Sequence, residues 1–138
     1  MREILFRGKR LDNGEWVYGS LIKVTIKGQT AYLIFGDNFA FDGKEVKALK
    51  HACVDPDTVG QYTGFTDKNG KKIFEGDIVE DGRDYNEEDG YGVVEWNDGA
   101  FEVISEGNWS GTFYTNYYGY EFEVIGNIHD NPDLLKGE

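Results

Sequence analysis

Proline and cysteine are almost missing from this chain of 138 residues, which holds two prolines and a single cysteine, Cys53. One cysteine forms no internal disulfide, so cross-links are excluded as a source of stability, in keeping with a reducing compartment. Histidine is equally scarce: with only His51 and His129, there are few ways to assemble a catalytic triad or a His-rich zinc site. Long apolar runs are missing too. No stretch approaches the roughly 18 apolar residues of a membrane span. The opening MREILFRGKR mixes charges into its only apolar patch, unlike a signal peptide. The expectation is a cytoplasmic protein with no membrane contact.

Basic residues are missing from one half. Residues 1–65 hold nine Lys/Arg and eight Asp/Glu, whereas residues 66–138 hold five and eighteen, so the acidity behind the chain's net charge of −12 lies in the second half. Such a surface repels phosphate backbones, which argues against direct nucleic-acid binding. A solvated, soluble face explains the acidity most simply. The sharper alternative is an acidic face that imitates DNA toward a DNA-binding protein, suggested by twelve acids from Glu75 to Glu106 against the single Arg83.

What is present is glycine, nineteen residues of it, together with aromatics at 15% and a hydrophobic period of two. Trp16, Tyr18, Ile22, Val24 and Ile26 occupy even positions, with Glu15, Lys23, Thr25 and Lys27 on odd ones, which is how a half-buried strand is written. Gly28-Gln29 offers a turn into TAYLIF, so residues 16–35 are expected to form a hairpin. Tyr120, Phe122, Val124 and Ile128 mark another strand. Asn13-Gly14, Asn69-Gly70 and Asp98-Gly99 are dipeptides that tolerate positive φ and suit tight turns. Glu75-Gly76-Asp77 marks a bend between KKIF and DIVE, and Gly92 to Ile104 a further hairpin.

Helix signals are few. GKEVKALKH, residues 43–51, reads equally as two helical turns or an exposed strand, and Asn131 before Pro132 reads as the cap of one short terminal turn whose leucines pack back on the sheet. NGEWVYGSLI and NGKKIFEGDIV echo one another, but two copies do not make a repeat protein. The predicted fold is mainly β: short antiparallel strands, an N-terminal β lobe over 1–65 packed with an acidic lobe over 66–138 that resembles a small SH3-like barrel. The two lobes are also compatible with one compact domain over 1–138.

Chemistry is hard to find. Asp84, Asn86 and Glu88 alternate in the acidic loop, and Glu95 falls where the last glutamate of a calcium loop would stand. The loop's sixth position needs glycine for its sharp turn and holds Asp89 instead. These four residues are the candidates for a metal-dependent enzyme, but no metal, cofactor or catalytic residue is expected. His51 and Cys53 lack a second ligand pair, Ser20, Ser105 and Ser110 lack a nucleophile elbow, and no phosphate-binding glycine loop is present.

The aromatic stretch NWSGTFYTNYYGYEF carries more aromatic rings than one side of one strand can bury. Trp109, Tyr114, Tyr117 and Tyr118 are therefore candidates for a protein-binding surface. Base stacking would want interleaved Lys or Arg, and none lies between Glu106 and Glu123. The expected partner is a protein, either another chain or a second copy. Arg2, Arg7, Lys9 and Arg10 are the cations that would meet a neighbour's acidic half.

VDPDTVGQYTGFTDKNGKKIFEGDIVE, GVVEWNDGAFEVI and FEVIGNIHDNPDLL, with the opening ILFRGKRLDNGEWVYGSLI, together resemble the YopX family of small phage and prophage proteins. The resemblance implies a protein made inside a bacterial host cell, and it brings no catalytic residues with it.

Overall fold

The computed structural model describes residues 2–36, 52–81, 91–105 and 122–136. These residues form ten strands and two short 3-10 turns, so the mainly β expectation holds. The chain divides into two compact units, Met1–Gln61 and Tyr62–Glu138.

In the first unit, β1 (Phe6–Lys9), β2 (Trp16–Ile26), β3 (Gln29–Phe35) and β4 (Cys53–Val54) make an antiparallel sheet of order β4-β3-β2-β1. The expected hairpin is there, one residue from its expected turn. Ile26 pairs with Gln29, so the turn residues are Lys27 (φ 52°) and Gly28 (φ 79°). Two successive positive φ values match the right-handed twist of the flanking strands. β2 is much longer than its neighbours: β1 pairs only with Trp16 to Gly19, and β3 covers Ser20 to Ile26. A 3-10 turn at Pro56–Thr58 is capped by Asp55, whose carboxylate accepts the Asp57 N–H at 3.0 Å. Thr58 then ties the turn to β1 by accepting the Lys9 N–H at 2.8 Å.

β5 (Gly60–Thr66) begins in this unit, where Gly60 and Gln61 pair with Arg7 and Phe6, and continues in the second, where Tyr62 and Thr66 pair with Phe74 and Lys72 of β6 (Lys72–Phe74). The second unit also holds β7 (Asp77–Asp81), β8 (Tyr91–Asn97), β9 (Ala100–Ser105) and β10 (Phe122–Asn127), an antiparallel sheet of order β10-β7-β8-β9. That arrangement fits the SH3-like expectation, although the described strands do not close into a full barrel. Its core is Ile73, Val79, Val94, Val103 and Phe122, each no more than 1% exposed, with Val124 packed against them. Each such side chain contributes roughly 1.5–3 kcal/mol on burial.

Short-range polar contacts fix the turns of this unit. Asp77, 1% exposed, accepts the Phe74 N–H at 2.7 Å and closes the expected bend at Glu75-Gly76. The sequence echo is therefore not a structural one: its first copy runs through Gly19 as one strand, its second breaks into β6 and β7. Asp67, 4% exposed, holds the 67–70 turn and reaches β10 as well. Its Oδ1 accepts the N–H groups of Asn69 and Lys71 at 2.8 and 2.9 Å, and its Oδ2 accepts that of Val124 at 3.0 Å.

At the chain end the 3-10 turn Pro132–Lys136 follows Asn131 as expected. One of its two leucines departs from expectation: Leu134 is 41% exposed, whereas Leu135 is half-buried. The β10 alternation also stops early, because the register shifts between Val124 and Gly126 and puts Ile128 beyond the strand.

Candidate functional site

The apolar face of β2 is where sequence and structure part. Alternation predicts that Trp16, Tyr18, Ile22, Val24 and Ile26 turn inward, yet Tyr18, Ile22 and Ile26 are 48%, 44% and 63% exposed. Buried positions lie instead on the neighbouring strands: Leu33 opposite Ile22, and Ile34 opposite Leu21. The physical reason is reach. Beyond Gly19 no described strand continues the sheet on the β1 side, and β4 reaches only Tyr32 and Leu33 of β3, so from Val24 onward β2 stands with β3 as a two-stranded ribbon. A ribbon of two strands has too few neighbours to bury a face of its own. A shallow hollow of about 390 Å³ lies on it, lined by Val24, Ile26, Lys27, Gln29, Thr30 and Ala31.

At the other end of the same strand, the Trp16 ring has two cations near it. The Arg7 guanidinium sits 4.7 Å from the ring centre and the Lys9 ammonium 5.4 Å. Arg7 itself is 5% exposed. Arg10 makes a charge-assisted pair with Asp12, Nη2 to Oδ2 at 2.6 Å. Three of the four cations expected to meet an acidic neighbour are thus engaged within their own chain, through contacts to aromatic and carboxylate groups.

The four aromatic candidates Trp109, Tyr114, Tyr117 and Tyr118 lie outside the described residues, as do Asp84, Asn86 and Glu88 of the acidic loop, His51, and residues 43–50. Glu95 is described: it stands exposed on β8, directly opposite Glu102 of β9. Two carboxylates in that position repel. Among the described residues no group of three or more His, Cys, Asp or Glu side chains is placed to hold a metal ion. Nor do all the acids form one outward face, because Asp67 and Asp77 are buried acceptors of backbone N–H groups. Burial pushes the Asp67 carboxyl up, but the N–H donors of Val124, Lys71 and Asn69, aided by the Lys71 charge, outweigh it and hold the group below its ordinary value.

A second exposed aromatic site sits at the tip of the β8–β9 hairpin. Trp96 is 52% exposed and meets Phe101 across the strands, edge to face, with ring centres 4.8 Å apart. Sequence reading missed both this pair and the outward Ile22 and Ile26. The available signal was length: an eleven-residue strand flanked by a much shorter segment, FRGK, cannot be covered along its whole face.

No helix among the described residues is long and apolar enough to cross a membrane. No curated protein matches the chain. A family model described as YopX protein matches residues 5–136. Two solved structures share the fold over essentially the whole chain. The crystal structure of protein EF1440 from Enterococcus faecalis is 24% identical, with 98% of this chain and 99% of that one covered and a TM-score of 0.52. The X-ray structure of protein yopX from Bacillus subtilis is 19% identical, with 100% and 99% covered and a TM-score of 0.55. At these identities the likeness is one of fold, whereas the family match runs through nearly every described element, from β1 to the last 3-10 turn. This chain belongs to the YopX family.

Proposed function

We propose that the chain is a non-enzymatic accessory protein of a phage or prophage, acting in the host cytoplasm by binding protein through the β2–β3 ribbon. The observation that carries this reading is the apolar row Ile22, Val24 and Ile26, its two isoleucines exposed and Val24 half-buried, on a strand that outreaches its own sheet. Solvated apolar side chains in a row contribute nothing to the fold they leave, and each gains roughly 1.5–3 kcal/mol when a partner covers it. The β8–β9 tip, with Trp96, is the accessory contact, since exposed Trp is the residue type that most often anchors an interface.

Affinity capture tests the reading. Full-length protein immobilised as bait should retain protein, from bacterial lysate or as added copies of itself, and the Ile22→Asp/Ile26→Asp variant should retain at least ten-fold less, as expected when two central anchors are lost. Both positions are exposed, so the fold should tolerate the substitutions, and circular dichroism of the variant checks that it does. Equal retention by bait and variant would overturn the assignment of the ribbon.

A further inference from the structure

The two-residue turn at Lys27 and Gly28 fixes the direction of every peptide group in β2. Ile26 and Gln29 flank it as a bonded pair, so even-numbered residues of β2 direct N–H and C=O toward β3 and odd-numbered ones toward the opposite side. The structure shows that opposite side in use at the strand's start, where the Arg10 N–H donates to the Glu15 carbonyl at 2.9 Å. Pairing then runs through Val17 opposite Gly8 and Gly19 opposite Phe6, and β1 ends. Among the described residues no strand pairs with β2 beyond this point on this side, so Leu21, Lys23 and Thr25 direct their backbone groups outward along an open edge. The edge carries no proline, and its register against β3 runs without a bulge from Ser20 to Ile26, so two of the devices that discourage edge pairing are missing.

We propose that this edge pairs with the same edge of a second copy, antiparallel about a two-fold axis at Val24. The inference rests on the protein-binding reading above and names the partner. Lysine placement selects the register. With Val24 on the axis, Lys23 faces the partner's Thr25, Leu21 faces the partner's Lys27, and Ile22 faces the partner's Ile26. The Lys23 and Thr25 pairs then exchange both of their backbone hydrogen bonds. Moving the axis one residue back sets Lys23 against the partner's Lys23, and one residue forward sets it against the partner's Lys27; like charges directly opposite are destabilising. The odd slips between these registers place outward peptide groups against inward ones and lose the ladder. The Val24 register is also the one that joins Ile22, Val24 and Ile26 to the same three residues of the partner as one continuous apolar band. Such a contact is isologous and closes at two copies.

Sedimentation of the full chain across a wide concentration range, at low salt, tests the pairing through a charge exchange at two exposed positions. The unaltered protein should be a dimer. Thr25→Lys sets a lysine opposite the partner's Lys23 at both symmetry-related positions and should weaken association by about ten-fold. Combining it with Lys23→Glu turns both pairs into opposite charges and should restore association. A protein that is monomeric throughout, a Thr25→Lys variant that associates normally, or a double variant that fails to recover would each overturn the proposal. If the protein is monomeric yet bait capture still depends on Ile22 and Ile26, the self-pairing falls and the protein-binding reading stands.

Discussion

Replacing Asp67 with alanine should lower the free energy of unfolding by about 3 kcal/mol, because three backbone N–H groups lose a charged acceptor at once and each such bond contributes on the order of 1 kcal/mol or more. The carboxylate ties the 67–70 turn to itself through Asn69 and Lys71, and ties the turn to β10 through Val124, 57 residues away. No other single side chain joins these segments through so many bonds among the contacts described. Asparagine in its place keeps one acceptor but turns an N–H₂ group toward the Val124 N–H, so Asp67→Asn should recover only part of the loss. The pH dependence follows from the same bonds. A carboxyl held below its ordinary value in the folded state stabilises the fold above about pH 4, where the unfolded chain is already ionised, and loses that contribution as pH falls through the lowered folded value. Chemical denaturation at neutral and acid pH should show a decline in the unaltered protein that is shallower in Asp67→Asn.

Gly19→Ala should be at least as damaging in the first unit, by ~3 kcal/mol, since overpacking and broken ladder bonds add. A methyl group at position 19 would overlap the carbonyl of Phe35, and it would stand 2.8 Å from the Cα of Gly36. Both are backbone, which does not swing aside as a long side chain would. The strands β2 and β3 must therefore separate where their pairing begins. Gly28→Ala is the control: its φ of 79° strains an alanine, but nothing lies within 4 Å of the added methyl. The cost there should be about 1 kcal/mol. Denaturation midpoints of the two variants separate close approach from backbone strain, and equal losses would contradict the tight β2–β3 junction.

Much of this fold was legible because its grammar is local. Gly28 and Asp98-Gly99 adopt positive φ through residue chemistry that needs no knowledge of distant chain, and each joins a hairpin that alternation outlines, although the first turn is Lys27-Gly28 and not the expected Gly28-Gln29. Asn131-Pro132 began its short turn for the same reason. The errors came from longer range. Period two says that one face of β2 is apolar but not whether anything covers it, and coverage depends on how far β1 extends beside it and β4 beside β3. Leu134 likewise is exposed although its neighbours are written as a terminal clasp. The binding candidates were chosen for aromatic density, a composition argument, whereas the ribbon became visible only once the unequal lengths of β1, β2 and β3 were known. Asp67 shows the same limit from the other side: in sequence it is one acid among 26, and only the fold reveals that its oxygens are occupied by backbone donors.

Amide hydrogen exchange along β2, followed residue by residue at low and high protein concentration, tests the open edge most directly. The amides of Ile22, Val24 and Ile26, directed to β3, should be protected at every concentration. Those of Leu21, Lys23 and Thr25 should exchange quickly when dilute and slow markedly as concentration rises. Fast exchange of these three at all concentrations, or equal protection of odd and even residues in dilute protein, would contradict it.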